Sequence, residues 1–116
     1  MIDRRHEPRT KLDLPLLVWG IDTRGGRFLQ QAHARDISLS GALLSGIDSE
    51  LSPGDMIGIL CAGKKARFRV VWVRYDGTGD KMQAAVHRVA ADACPWQDLL
   101  SNEEASRSAI VTSADI

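Results

Sequence analysis

Apolar and polar residues alternate along most of this chain, and the period is that of strands. Leu12, Leu14, Leu16 and Val18 fall on one face at a period of two, while Pro15 in their midst marks an edge strand or a bulge. Asp22 to Gly26 reads as a turn, with Gly25-Gly26 suited to positive φ. A second strand is expected from Phe28 to Ile37 and a third follows at once through Ala42-Leu43-Leu44, so Ser38 to Gly41 must bend the chain sharply. After the turn at Ser49 to Asp55, set by Pro53-Gly54, Met56 to Cys61 is apolar enough for a buried strand, and Ala62 to Lys65 forms a polar hairpin tip. The clearest alternation comes next: Ala66, Phe68, Val70 and Trp72 are expected to face inward, and Arg67 and Arg69 outward. Tyr75 to Lys81, with Gly77 and Gly79, makes another turn before a last strand from Met82 to Val89.

Short strands joined by tight turns describe an antiparallel barrel or sandwich. Only after Ala93 does a helical pattern emerge: Pro95 suits a first turn, and Trp96, Leu99 and Leu100 form an apolar face that would cover one end of the barrel. The expected organisation is an exposed, mobile arm at residues 1–11, one domain at 12–100 and a frayed tail at 101–116. No internal repeat is visible.

At 116 residues the chain holds one modest core. Its formal net charge is zero, so nothing global points to nucleic acid or to an anionic membrane surface. The local distribution is uneven, however: Arg4, Arg5, Arg9 and Lys11 crowd the start, Lys64, Lys65, Arg67, Arg69 and Arg74 follow without an acid, and the end is acidic. Cys61 and Cys94 lack metal spacing; Cys61 reads as a buried thiol and Cys94 as a loop or helix-start residue. With no apolar leader and no run long enough to span a membrane, the expected compartment is a reducing cytoplasm. His6, His33 and His87 have no metal-ligand spacing, and Ser38 and Ser40 do not sit in a nucleophile elbow, so neither a metal nor catalysis is expected. The face of Arg67 and Arg69 reads as the solvent side of a strand.

Two polar clusters carry the candidate chemistry. The first is Arg5-His6-Glu7-Pro8-Arg9, with Arg4 beside it; the second is Asp36-Ile37-Ser38-Leu39-Ser40-Gly41. Taken alone, the arginines also suit a solvated basic arm, and Asp, Ser and Gly also suit a strand end and a bend. Together they supply guanidinium forks for phosphates or a guanine Hoogsteen edge and a carboxylate whose two acceptors match the N1 and N2 hydrogens of guanine.

This pairing, Arg-x-x-x-Arg followed about one strand later by Asp-x-Ser-x-x-Gly, resembles the signature of the PilZ family, bacterial receptor domains for cyclic di-GMP, and the likeness extends from about Arg4 to Val89. The resemblance implies an all-β fold, a six-stranded antiparallel β-barrel with a short C-terminal helix. It also implies cyclic di-GMP as ligand, held by Arg4, Arg5, Arg9, Asp36, Ser38 and Gly41. In that reading Gly41 lets the backbone approach the ligand, and the arm folds over the bound nucleotide to present a surface to an effector protein that remains to be identified. No catalytic activity and no further cofactor are implied. The alternative is an adaptor of the same fold that works through protein contacts alone. One departure stands out: many members end the last strand with a Val-Gly-Val-x-Phe type run, whereas this chain has Ala84-Ala85-Val86-His87-Arg88, with arginine where an aromatic is common.

Overall fold

A computed structural model describes residues 9–75 and 81–100. Residues 1–8 of the expected arm, Arg4 and Arg5 among them, most of the expected Tyr75–Lys81 turn and the tail at 101–116 therefore lie outside the described residues, whereas Thr10 and Lys11, expected in the arm, already belong to the first strand because they pair with Ile37 and Asp36. The rest forms six strands: β1 (Thr10–Ile21), β2 (Arg27–Ile37), β3 (Gly41–Ile47), β4 (Met56–Cys61), β5 (Lys64–Tyr75) and β6 (Met82–Arg88). They close into a barrel in the order β1-β2-β3-β6-β5-β4, with every neighbouring pair antiparallel. The fold is the six-stranded antiparallel β-barrel that the sequence led us to expect.

Period-two alternation sends Leu16 and Val18 of β1, Ala32 and Ala34 of β2, Ile57 and Ile59 of β4, Phe68 and Val70 of β5 and Ala84 and Val86 of β6 into one core. Small residues on β2 and β6 leave room for Phe68 and the isoleucines, as a narrow barrel requires. Closure between β1 and β4 spans only Leu17–Gly20, so Pro15 lies beyond that ladder, and Leu12 and Leu14 are only partly buried. Of the Gly25-Gly26 pair only Gly25 takes positive φ; the Asp22 carboxylate accepts the amides of Arg24 and Gly26 and shapes the turn.

One strand departs from its expected parity. Val70 pairs with Val86 and Trp72 with Ala85, which makes Val71 the extra residue of a bulge. Beyond it the two faces exchange: Trp72 is 40 % exposed rather than core, and Val73 packs inward in its place. Among the described residues the helix covers one turn, 97–100. Trp96, just before it, is fully buried with its ring centroid 5.2 Å from that of Phe68, so it plugs one barrel end as expected. Leu100 packs against the core but Leu99 is exposed, because adjacent helical positions diverge by about 100° and one turn cannot turn both inward. Cys61 and Cys94 are both buried free thiols; burial and the neighbouring Cys94 raise the pKa of Cys61.

Candidate functional site

Antiparallel pairing of β1 with β2 sets Thr10 opposite Ile37 and Lys11 opposite Asp36, which delivers the start of β1 to the end of β2. Arg9 thereby meets Asp36 across the sheet, its Nη1 lying 3.5 Å from Asp36 Oδ2. The second arginine of the first cluster thus meets the second cluster. Contact at this length, with the Arg9 side chain 70 % exposed, contributes little to stability. Register shifts flank Asp36 on both sides, between Lys11 and Leu14 against β1 and between Ala34 and Asp36 against β3, and such bulges re-aim side chains. The Asp36 Oδ1 atom is buried and finds no hydrogen-bond partner among the described residues. An unmet buried acceptor costs a fold about 1–3 kcal/mol, more when it is charged.

The bend after β2 is held by its own polar groups. Ser38 N–H donates to Gly41 O at 2.9 Å, Gly41 N–H donates to Ser38 Oγ at 3.2 Å, and the Ser38 hydroxyl lies 3.4 Å from Gly41 O. Ser38, only 5 % exposed, is thus engaged first in the turn. Gly41 has a reason of its own: a Cβ there would stand 2.2 Å from the backbone oxygen of Val86. Its smallness admits the neighbouring strand β6, and its φ is not in the left-handed region.

Arg9, Asp36, Ser38 and Gly41 line one concavity of about 200 Å³. Arg4 and Arg5, the other predicted ligands, lie outside the described residues. Among the lining residues that escaped sequence reasoning are Trp72, turned outward by the bulge, and His87 of β6. The adjacent apolar pair Val70-Val71, which breaks strict alternation, was the one sign of that bulge. Arg74 sits over the Trp72 ring, 5.3 Å from its centroid, while its Nε donates to Gln83 Oε1 at 2.9 Å, so the indole is braced from one side.

A second, larger concavity of about 990 Å³ lies on another part of the barrel, lined by Trp19, Met56, Gly58, Arg67 and Asp92 among others. Its floor is apolar, with the Trp19 ring resting on Gly58, where a Cβ would come within 2.2 Å of the indole. Its principal ion pair is closed on itself. Arg67 donates to Asp92 through Nε and Nη2 at 3.0 Å and through its backbone amide at 2.7 Å. These hydrogen bonds from the Arg67 side chain and backbone hold the Asp92 carboxyl down at about 2. Among the described residues no cluster of His, Cys, Asp and Glu is suited to a metal ion, and no helix is long and apolar enough to cross a membrane.

Solved structures share this architecture. The chain superposes on the structure of Bacillus subtilis Inhibitor of motility (MotI/DgrA) with a TM-score of 0.63 at 16% sequence identity, over 92% of this chain and 52% of that one. It is similar to K. pneumonia MrkH in complex with c-di-GMP, with a TM-score of 0.58, 17% identity and coverage of 99% of this chain and 56% of the other. Against MrkH in its apo state the TM-score is 0.57 at 19% identity, over 93% and 55%. At these identities the likeness is one of fold, and the chain spans about half the length of each of these proteins. No family model and no curated protein matches it.

Proposed function

We propose that this chain is a non-catalytic receptor domain for cyclic di-GMP. The observation that carries the reading is the Oδ1 of Asp36, a buried acceptor with no donor among the described residues, in a concavity that also holds Arg9, Ser38 and Gly41. A guanine presents two adjacent donors, N1–H and N2–H, and a carboxylate accepts both. Adenine offers neither. The fold shared with MrkH, which has been seen in complex with c-di-GMP, supports the same ligand.

At about 200 Å³ the concavity is smaller than the ~300–1,000 Å³ clefts that enclose drug-sized ligands, so it takes one base and leaves the rest of the nucleotide at the open mouth. Asp36 reads the base edge, and the exposed face of Trp72 offers a stacking platform beside it. Arg9, free to swing from its long contact with Asp36, grips a phosphate or the Hoogsteen edge. Arg4 and Arg5 join it when the arm that precedes β1 closes over the ligand, and the closed arm is the surface that an effector protein reads. Ser38 and Gly41 hold the turn against which the base packs.

Calorimetric titration with cyclic di-GMP, and with cyclic di-AMP as control, tests this reading. Saturable binding of the guanine ligand with at least ~10-fold preference over the adenine one is expected from the loss of charge-assisted hydrogen bonds. Absence of binding, or equal affinity for both, would overturn it, the former leaving the protein-contact adaptor in its place.

A further inference from the structure

Three successive carbonyls of the site turn are gripped by donors from beyond it in sequence. Ser38 O accepts the indole N–H of Trp96 at 2.7 Å, Leu39 O accepts Arg88 Nε at 3.0 Å, and Ser40 O accepts the Arg88 amide at 2.7 Å. The β2–β3 ladder begins only at Ile37 and Ala42, so these carbonyls are served from outside that ladder, by Trp96 and by Arg88 at the end of β6. The same Arg88 guanidinium reaches the other way, donating Nη1 to Asp92 O at 2.6 Å, and Asp92 is itself clamped by Arg67. Arg88 does not line the ligand concavity. It stands between the turn that builds that concavity and the segment that plugs the barrel end.

We propose that Arg88 is a positioning residue that makes occupancy of the ligand site and docking of the Trp96 plug one linked equilibrium. The planar fork sends two donors in divergent directions, one to each side, which a lysine ammonium on a flexible stem does not reproduce. If a bound base fixes the Asp36–Gly41 turn, the carbonyls of Ser38, Leu39 and Ser40 are fixed with it, and their donors on Arg88 and Trp96 are held more firmly. Linkage runs equally in reverse, so loosening the plug weakens the ligand. Ala91, Asp92 and Ala93, which border the larger concavity, lie on this route, so the effect of ligand reaches a second face of the barrel. The proposal rests on the receptor reading for its ligand arm only.

Two conservative variants separate linkage from mere support of the fold. Arg88→Lys keeps the charge and loses the fork; Trp96→Phe keeps the ring against Phe68 and loses the single N–H. Measured where each variant is fully folded, cyclic di-GMP affinity is expected to fall about five- to thirty-fold in Arg88→Lys, the range of ordinary coupling between sites. In the wild type, cyclic di-GMP should slow amide hydrogen exchange at residues 92–100 as well as at 36–41, and Arg88→Lys should lose the first effect. Unchanged affinity in the variant, or ligand protection confined to 36–41, overturns the linkage while leaving the receptor reading intact. Without ligand, Trp96→Phe should speed exchange of the Gly41 amide, which bonds Ser38 Oγ inside the turn. Unaltered exchange there overturns the linkage even if the protein binds no nucleotide.

Discussion

Of the two concavities described above, the larger is the poorer candidate for chemistry. In the space beside Trp19 and Gly58 the main charged groups are already matched, Arg67 to Asp92 by three hydrogen bonds and Asp22 to two backbone amides. In the smaller space one buried carboxylate oxygen of Asp36 has no donor among the described residues, an arginine reaches the other only at 3.5 Å, and a tryptophan stands turned outward. Volume measures how much a surface can hold. Hydrogen-bonding capacity left unmet among the described residues marks where a further donor would be favoured, because a buried acceptor without one is costly.

Substitution at Asp36 should separate the two spaces most widely. Asp36→Ala is expected to weaken cyclic di-GMP binding by at least about 100-fold, since two charge-assisted hydrogen bonds are lost. Its ligand-free melting temperature should equal or exceed that of the wild type, because the orphaned acceptor goes too. Met56→Ser, in the larger space, should leave affinity unchanged by calorimetry. A fall in Tm for Asp36→Ala with no change in affinity would reverse the comparison.

The glycines of the two regions sharpen it further. A methyl at Gly41 meets the immovable Val86 carbonyl, so Gly41→Ala should destabilise the fold by about 2–3 kcal/mol in urea denaturation. At Gly58 the obstacle is the Trp19 indole, which can swing outward, so Gly58→Ala should cost about 1 kcal/mol. Next in size is Trp72→Ala. With its ring 40 % exposed, its removal should leave Tm close to the wild-type value but weaken the nucleotide about tenfold through lost stacking.

Acid titration probes the satisfied ion pair and is the smallest effect. The Asp92 carboxyl is held at about 2 in the folded protein against an ordinary 3.8, so its contribution is fully present above the ordinary value. It is lost as pH falls from about 4 to about 2. Asp92→Asn should therefore be less stable than wild type at pH 6, and the gap should close by pH ~2. A gap that stays constant with pH would show that the carboxylate does not depend on Arg67.

Much of the barrel was legible because patterning is a property of neighbouring residues: β6 and the inward face of β5 up to Val70 follow period two directly, and β4 is the continuous apolar run of a buried strand. Trp72 and Leu99 were not, since a bulge and a single helical turn change which way a side chain faces without changing its neighbours in sequence. Motif spacing likewise brought Arg9, Asp36, Ser38 and Gly41 to attention as a set. It assigned Gly41 to ligand approach, and only the structure shows that the backbone of β6 also excludes a side chain there.

By itself, then, the sequence determined the strand pattern, the bend at Ser38–Gly41 and the residue types that a nucleotide site needs, all of which depend on local spacing and side-chain chemistry. Tertiary structure alone decided which of those groups are left unsatisfied. Whether Asp36 Oδ1 has a donor, or which carbonyls Arg88 and Trp96 serve, depends on how β1, β3 and β6 register against one another and on what closes the barrel end. Hydrogen-bond satisfaction is set by three-dimensional neighbours, some separated by 58 positions along the chain.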